Sequence, residues 1–302
     1  MIELPRDPMK PILQETIPAG PEWGYQLKWD GVRLLSRVQD GQADLYSRTL
    51  LSKNSVYPEV ARRLSSVPGQ LILDGEAVVF DPVLQRPVFQ KVLQRERTRT
   101  AAGIKQLTER GPVVYVLFDL LYASGEDLRT LPYTERHARL LDLFPEKSPD
   151  LFVSDLFHDG QALWHWVETN GWEGVVSKRL SSPYREGKKH KDWFKRKTAV
   201  TMDVDIVGIT IREGVVASLV MSVSGVYSGR VSLRLNTESK RRIYDYVQSH
   251  PSDHRPFPAL PADLKGETVL WTDKPFVCSV TGLEITSAGL LRHPMLNSLP
   301  TL

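Results

Sequence analysis

Cysteine is almost absent from this sequence: Cys278 is the only one in 302 residues. A lone thiol excludes an internal disulfide and any cysteine-rich zinc site. Long hydrophobic runs are missing too. No apolar stretch is long enough to span a bilayer, and the opening MIELPRDPMKPILQ lacks the apolar region of a signal peptide. The expectation is therefore a cytoplasmic protein with no membrane partner. There is no internal repeat and no low-complexity tract. Nor is there an excess of one charge: 39 basic against 36 acidic residues leave a net +3, too little to name a partner.

The composition is that of a soluble globular chain, 41% hydrophobic and 25% charged. Its length suits one large domain or two ordinary ones. The basic residues are unevenly placed. REGKKHKDWFKRK (185–197) holds seven Lys or Arg against two acids, and KVLQRERTRTAAGIKQLTER (91–110) holds six against two. Such clusters either face solvent or neutralise phosphates.

The first two-thirds alternate strand-like and helix-like segments. YQLKW and VRLLSRV flank Asp30-Gly31, a favourable pair for a hairpin turn. GQLILDGEAVVFD (69–81) is β-rich and broken at Asp74-Gly75. PVVYVLFDLLY (112–122) reads as a buried strand ending at Phe118-Asp119. Helices are expected over 55–67, with Val60 and Leu64 inward, and over 133–144, with Tyr133, His137, Leu140, Leu141 and Phe144 on one face. His137 reads as a helix-face histidine rather than a ligand. Asp159 is placed to cap GQALWHWVETN and Gly171 to end it. Past Ala199 short strands dominate, with turns at Glu213-Gly214, Ser224-Gly225 and Ser228-Gly229 and one basic helix, TESKRRIYDYVQSH. That pattern suits a small barrel and sets a boundary near 199–203.

Lys28 interrupts YQLKWDGVRLL. A lysine attacks only as the free amine, so a nucleophilic Lys28 requires a site that depresses its pKa. K-x-D-G-x-R alone is a moderate signal. Each companion residue has a plain structural reading: Glu76 as a turn acid, Phe118 as a core aromatic, Lys195 and Lys197 as one solvated face of a strand. Together they suit a nucleoside triphosphate. Glu76 and Glu173 can hold Mg²⁺ or Mn²⁺, Lys195 and Lys197 can neutralise phosphate, and Phe118 can stack on a purine.

The ordered set KWDGVR, SR (Ser47-Arg48), DGE, FDLL, EGVVSKR and WFKRK resembles the covalent nucleotidyltransferases, and among them the ATP-dependent DNA ligases. The likeness extends to MKPILQETIPAGPEWGYQLKWDG and LRHP (291–294), over nearly the whole chain. It is similar in particular to the ligase domains of bacterial non-homologous end-joining proteins that work with Ku.

The resemblance implies an α+β fold: an adenylation domain (1–200) of antiparallel sheets and flanking helices, then a β-barrel OB-fold domain (201–302) that closes over the site. It implies that Lys28 attacks ATP, that AMP passes to a 5′-phosphate, and that a 3′-hydroxyl displaces it. It gives Gln26, Arg33, Arg48, Glu76, Phe118, Lys178, Lys195 and Lys197 to the nucleotide, with Lys178, Lys195 and Lys197 on the α-phosphate. Glu76 and Glu173 go to the metal. Arg48, Lys188, Lys189 and Arg292 go to duplex DNA carrying nicks or breaks. Ku would be a partner and the chain a monomer.

Three departures stand out. Gln26 occupies a position that is often Glu, SRTLLSKN replaces the common SRNG, and MLNSLPTL lacks the Asp-Lys pair that usually follows LRHP. NAD-dependent ligases share K-x-D-G but resemble longer chains with a four-cysteine zinc site. An RNA ligase, a GTP-dependent capping guanylyltransferase and a non-catalytic nucleic-acid-binding relative remain as alternatives.

Overall fold

The structure, a computed structural model, describes residues 3–187, 190–232, 236–282, 284–286 and 289–300. The chain divides into two compact units, Met1–Thr198 and Ala199–Leu302.

The strands of the first unit are β1 (Ile12–Leu13), β2 (Trp23–Leu27), β3 (Val32–Gln39), β4 (Gln42–Ser47), β5 (Leu71–Val78), β6 (Phe80–Asp81), β7 (Arg86–Pro87), β8 (Val114–Ala123), β9 (Glu126–Asp127), β10 (Leu151–Val153), β11 (Gly174–Arg179) and β12 (Trp193–Lys197). Its helices are α1 (Pro58–Ser65), α2 (Phe89–Arg97), α3 (Ala101–Arg110), α4 (Tyr133–Leu143) and α5 (Gly160–Thr169). One sheet runs β10-β8-β5-β3-β4 with β9 on β8, and a second runs β1-β12-β11-β2. Pairing is antiparallel except at β1–β12 and β10–β8.

Local chemistry explains these elements. VYVLFDLLYA of β8 is almost wholly apolar because both its faces are covered. Leu34, Leu45, Leu73, Tyr115 and Leu117 of the larger sheet pack with Leu64 of α1 and Leu140 of α4 into one core. Pro58 starts α1, where a missing N–H costs nothing. Asp159 caps α5, its Oδ1 accepting from the Gln161 and Ala162 amides at 3.0 and 2.9 Å. Gly171, at φ +64°, turns the chain after that helix.

Four expectations about local structure in this unit are corrected. Asp30-Gly31 is not a hairpin, because β2 and β3 belong to different sheets. The pair carries the chain across: a Cβ on Gly31 would lie 2.3 Å from the Ala77 carbonyl oxygen, and Asp30 accepts from the Phe89 amide at the start of α2 at 3.2 Å. Asp74-Gly75 does not break its strand. β5 runs through it with a bulge, and a Cβ on Gly75 would lie 2.6 Å from the Tyr115 ring. Phe118-Asp119 lies inside β8, which continues to Ala123. Leu141 is exposed, while Arg136 takes the inward place beside His137 and Leu140.

The second unit contains β13 (Val200–Arg212), β14 (Val215–Val223), β15 (Val226–Ser232), α6 (Thr237–Ser249), β16 (Pro251–Ser252), a 3₁₀ turn at Ala262–Leu264, β17 (Thr268–Gly282), β18 (Glu284–Ile285), β19 (Leu291–Arg292) and β20 (Met295–Ser298). The main sheet runs β15-β14-β13-β17-β16 with β20 on β17. Among the described residues no strand pairing closes it into a barrel. Glu213-Gly214 and Ser224-Gly225 form the β13–β14 and β14–β15 turns, each pair with both φ positive. Ser228-Gly229 is instead a bulge inside β15, opposite a register shift at Met221/Ser222.

Candidate nucleotide site

The register of the smaller sheet assembles the basic residues. Gln26 of β2 pairs with Val176 of β11, and Val176 with Lys195 of β12. Lys178 pairs with Trp193, and Gly174 with Lys197. Alternate residues of a strand share a face, so Gln26, Val176, Lys178, Trp193, Lys195 and Lys197 share one. Lys28 follows directly after β2, its amide donating to the Gly174 carbonyl at 2.9 Å. Gly174 is obligatory: at φ +156° its Cβ would lie 2.1 Å from the Arg196 carbonyl oxygen. The larger sheet contributes Arg33 of β3, directly paired with Glu76 of β5.

Glu173 joins the two ends of the lysine set. Its Oε2 accepts from Lys28 Nζ at 2.6 Å, and its Oε1 lies 3.0 Å from Lys197 Nζ. Burial alone would lower the Lys28 pKa, but Glu173, Glu76 and Asp30 outweigh it and hold the amine above its usual range. The expected depressed lysine is therefore not what this arrangement gives, because its surroundings are acidic. Burial pushes the Glu76 carboxyl up to about 8 against the pull of Lys28 and Arg33, with Glu173 and Asp74 adding to the rise. Burial, reinforced by Glu173, likewise lifts Asp30 to about 6.

A second cluster forms around Phe118. Lys178 Nζ lies 4.7, 4.3 and 4.2 Å from the ring centroids of Phe118, Tyr133 and Trp193. It also donates to the Phe118 carbonyl and the Tyr133 hydroxyl, both at 3.2 Å. Burial pushes Lys178 down to about 7, although Asp119 and Asp74 oppose it. Gln26 Nε2 donates to the Ser154 carbonyl at 3.0 Å. Arg33 sits over Phe118, 5.2 Å from its centroid, and is held by Asp74 at 2.8 and 2.5 Å.

These residues come from segments that match the family described as ATP dependent DNA ligase domain over residues 8–197. The chain belongs to that family. Among its relatives is the multifunctional non-homologous end joining protein LigD of Pseudomonas aeruginosa, 31% identical over 303 aligned residues, 95% of this chain and 34% of that protein. LigD of Mycobacterium tuberculosis is 32% identical over 285 residues, 90% of this chain and 35% of that protein. The chain thus spans about a third of the length of these relatives. A solved mycobacterial DNA ligase D complexed with ATP and MES aligns with a TM-score of 0.57 at 29% identity, covering 96% of this chain and 93% of that one.

The other residues expected in a ligase site are placed as follows. Arg48 is exposed just past β4, in a turn where Leu50 adopts φ +60°. Leu50 stands where the common SRNG has its glycine. Arg292 ends β19 in the second unit and is exposed. Lys188 and Lys189 lie outside the described residues.

Among the described residues no group of three or more His, Cys, Asp or Glu side chains forms a metal cage. Two carboxylates still fit a hard dication. Glu76 has no protein hydrogen bond or ion pair among the described residues, and Glu173 and Asp74 are near enough to raise its pKa. Mg²⁺ is commonly held by one or two carboxylates together with substrate phosphates.

Sequence reasoning missed Tyr133, Ser154 and the support role of Trp193. Trp193 had a signal, since it opens WFKRK. Ser154, in FVSD, had none.

Proposed function

We propose that this chain seals breaks in duplex DNA with ATP, through an AMP adduct on Lys28. The observation carrying this reading is the Lys28–Glu173–Lys197 contact, in a member of the ATP-dependent ligase family. Lys28 Nζ loses a proton, for which Glu173 is the adjacent acceptor, and attacks the α-phosphorus. A phosphoramidate forms and pyrophosphate leaves. AMP then passes to a 5′-phosphate, and a 3′-hydroxyl attacks that phosphate and releases AMP. Lys195 and Lys197 would neutralise phosphate oxygens. Glu76 and Glu173 would hold Mg²⁺ or Mn²⁺, which supplies charge neutralisation at the triphosphate.

Phe118 would carry the base. Gln26 Nε2 is committed to the Ser154 carbonyl, leaving Oε1 as the acceptor. An acceptor suits the exocyclic amine of adenine and opposes the O6 of guanine. Lys178, in contact with Phe118, belongs to this base side rather than to the phosphates. Arg33 and Arg48 would serve the sugar or the nick phosphate. Lys188, Lys189 and Arg292 would serve the DNA backbone.

The second unit reads as an OB-fold, because α6 follows the third strand of its sheet and β17 returns to pair with β13, the first. A role in end joining is part of the same reading, supported by the relatives' names, and Ku is the partner that the sequence resemblance implies.

The test is intact mass after incubation with ATP, GTP or NAD⁺ and a divalent metal. One AMP mapped to Lys28, from ATP only, is expected. GMP from GTP would move the chain to the capping class. No adduct from protein first stripped with pyrophosphate would refute the reading.

A further inference from the structure

Ser154 follows β10 and is 1% exposed, yet every polar group it owns is engaged. Its amide donates to the Leu117 carbonyl at 2.7 Å, next to Phe118. Its carbonyl accepts from Gln26 Nε2 at 3.0 Å and from His137 Nε2 at 2.9 Å. A carbonyl only accepts, so His137 carries its proton on Nε2. Its hydroxyl oxygen accepts from Trp29 Nε1 at 3.0 Å. Trp29 is the immediate neighbour of Lys28, and Gln26 lies two residues before it.

Ser154 therefore grips both sides of the nucleophile while its backbone is bonded beside the proposed purine platform. It also joins the two sheets: β10 belongs to the larger sheet and β2 to the smaller. We propose that Ser154 is a positioning residue that fixes the distance between the base platform at Phe118 and the attacking amine of Lys28. This rests on the ligase reading above. The attack is geometrically demanding, because the base must be seated while Nζ lies in line with the departing pyrophosphate. Displacement of about 1 Å in such an arrangement can cost on the order of 100-fold in rate. Loss of one tether of the two allows a smaller drift.

Sealing of a pre-adenylated nick provides the control, because it makes no use of the Lys28 amine as nucleophile. With full-length protein, Ser154→Ala is expected to slow single-turnover AMP–Lys28 formation at saturating ATP by about 10-fold. ATP affinity and sealing of pre-adenylated DNA should change less than about two-fold, well below that loss. Trp29→Phe keeps an aromatic side chain but removes the donor, so it should lose at least as much. The double variant should be no slower than the slower single, because both remove one bond. Ser154→Thr should restore the rate. Equal losses in adduct formation and pre-adenylated sealing, additive losses in the double variant, or a wild-type rate in Ser154→Ala would overturn the proposal. An adduct on wild-type Lys28 alongside any of these results would leave the ligase reading standing.

Discussion

Lys28 Nζ and Glu173 Oε2 lie 2.6 Å apart, and the other oxygen of the same carboxylate is 3.0 Å from Lys197 Nζ. One acid thus holds the candidate nucleophile and a candidate phosphate ligand together. The arrangement stores Lys28 as an ammonium, which cannot attack. Loss of the Glu173 negative charge from beside Lys28 would lower the lysine pKa and favour the free amine.

The first prediction concerns that dependence. Lys28 is held above its usual range by Glu173, Glu76 and Asp30 against the effect of burial. The rate of adduct formation in the wild type should therefore rise with pH into the alkaline range. In Glu173→Gln the rise should move to lower pH, because the main counter-charge is gone. The plateau should fall by roughly 100-fold, because a group that stabilises charge at the phosphates is gone too. Single-turnover labelling across pH reads both effects, and an unmoved profile would remove Glu173 from the control of Lys28.

The second concerns Asp119 of FDLL, which is not free for chemistry. It and Arg136 are both wholly buried, paired at 2.7 and 2.9 Å. Arg136→Met should cost about 3–5 kcal/mol in urea unfolding, because it leaves a buried carboxylate without its partner. Arg136→Met with Asp119→Leu should recover most of that loss. A double variant as unstable as the single would show that the stranded charge is not the main cost, and would point to the Leu131 and Ser182 carbonyls that Arg136 Nη1 also serves at 2.6 and 2.9 Å.

What the sequence revealed of this molecule follows from how local each signal is. Lys195 and Lys197 were placed on one face by strand alternation alone, and the register confirms the sharing. Asp159 and Gly171 bound α5 by backbone chemistry within a few residues. The Glu213-Gly214 and Ser224-Gly225 turns were legible for the same reason. Asp30-Gly31 misled because its glycine answers a contact with Ala77, 46 positions away in β5, the neighbour of the strand that Gly31 enters. Gly75 answers Tyr115 across a strand pair in the same way. The acidic surroundings of Lys28 could not be read from YQLKWDGVRLL, since Glu76 and Glu173 arrive from distant segments. Ser154 makes its contacts mostly through its backbone, which leaves no mark on residue type.

The third prediction concerns Leu50 at φ +60°. A leucine in the left-handed region costs about 1–2 kcal/mol. Glycine is free of that cost but loses roughly 0.5–1 kcal/mol through its more flexible unfolded chain. Leu50→Gly should therefore stabilise the protein by up to about 1.5 kcal/mol. Thermal unfolding checks the sign, and a lower melting temperature would mean that contacts of the half-buried Leu50 outweigh the backbone strain.

The fourth concerns Glu76, lifted to about 8 chiefly by burial. Unfolded, the same carboxyl titrates near 4.5. Between those values the folded protein holds a proton that the unfolded chain has released. Stability from this group is therefore complete below the unfolded value and is lost as pH rises through the folded one. Glu76→Gln cannot ionise, so its unfolding free energy should fall less than the wild type's between pH 5 and 9. A cation held by Glu76 must displace that proton, so Mg²⁺ should raise the wild-type melting temperature more at pH 8.5 than at pH 6. In Glu76→Gln that pH dependence should disappear. If Mg²⁺ stabilises both proteins equally at both pH values, Glu76 is not a metal ligand, and its proton serves only to keep a half-buried carboxyl neutral against the charges of Glu173 and Asp74.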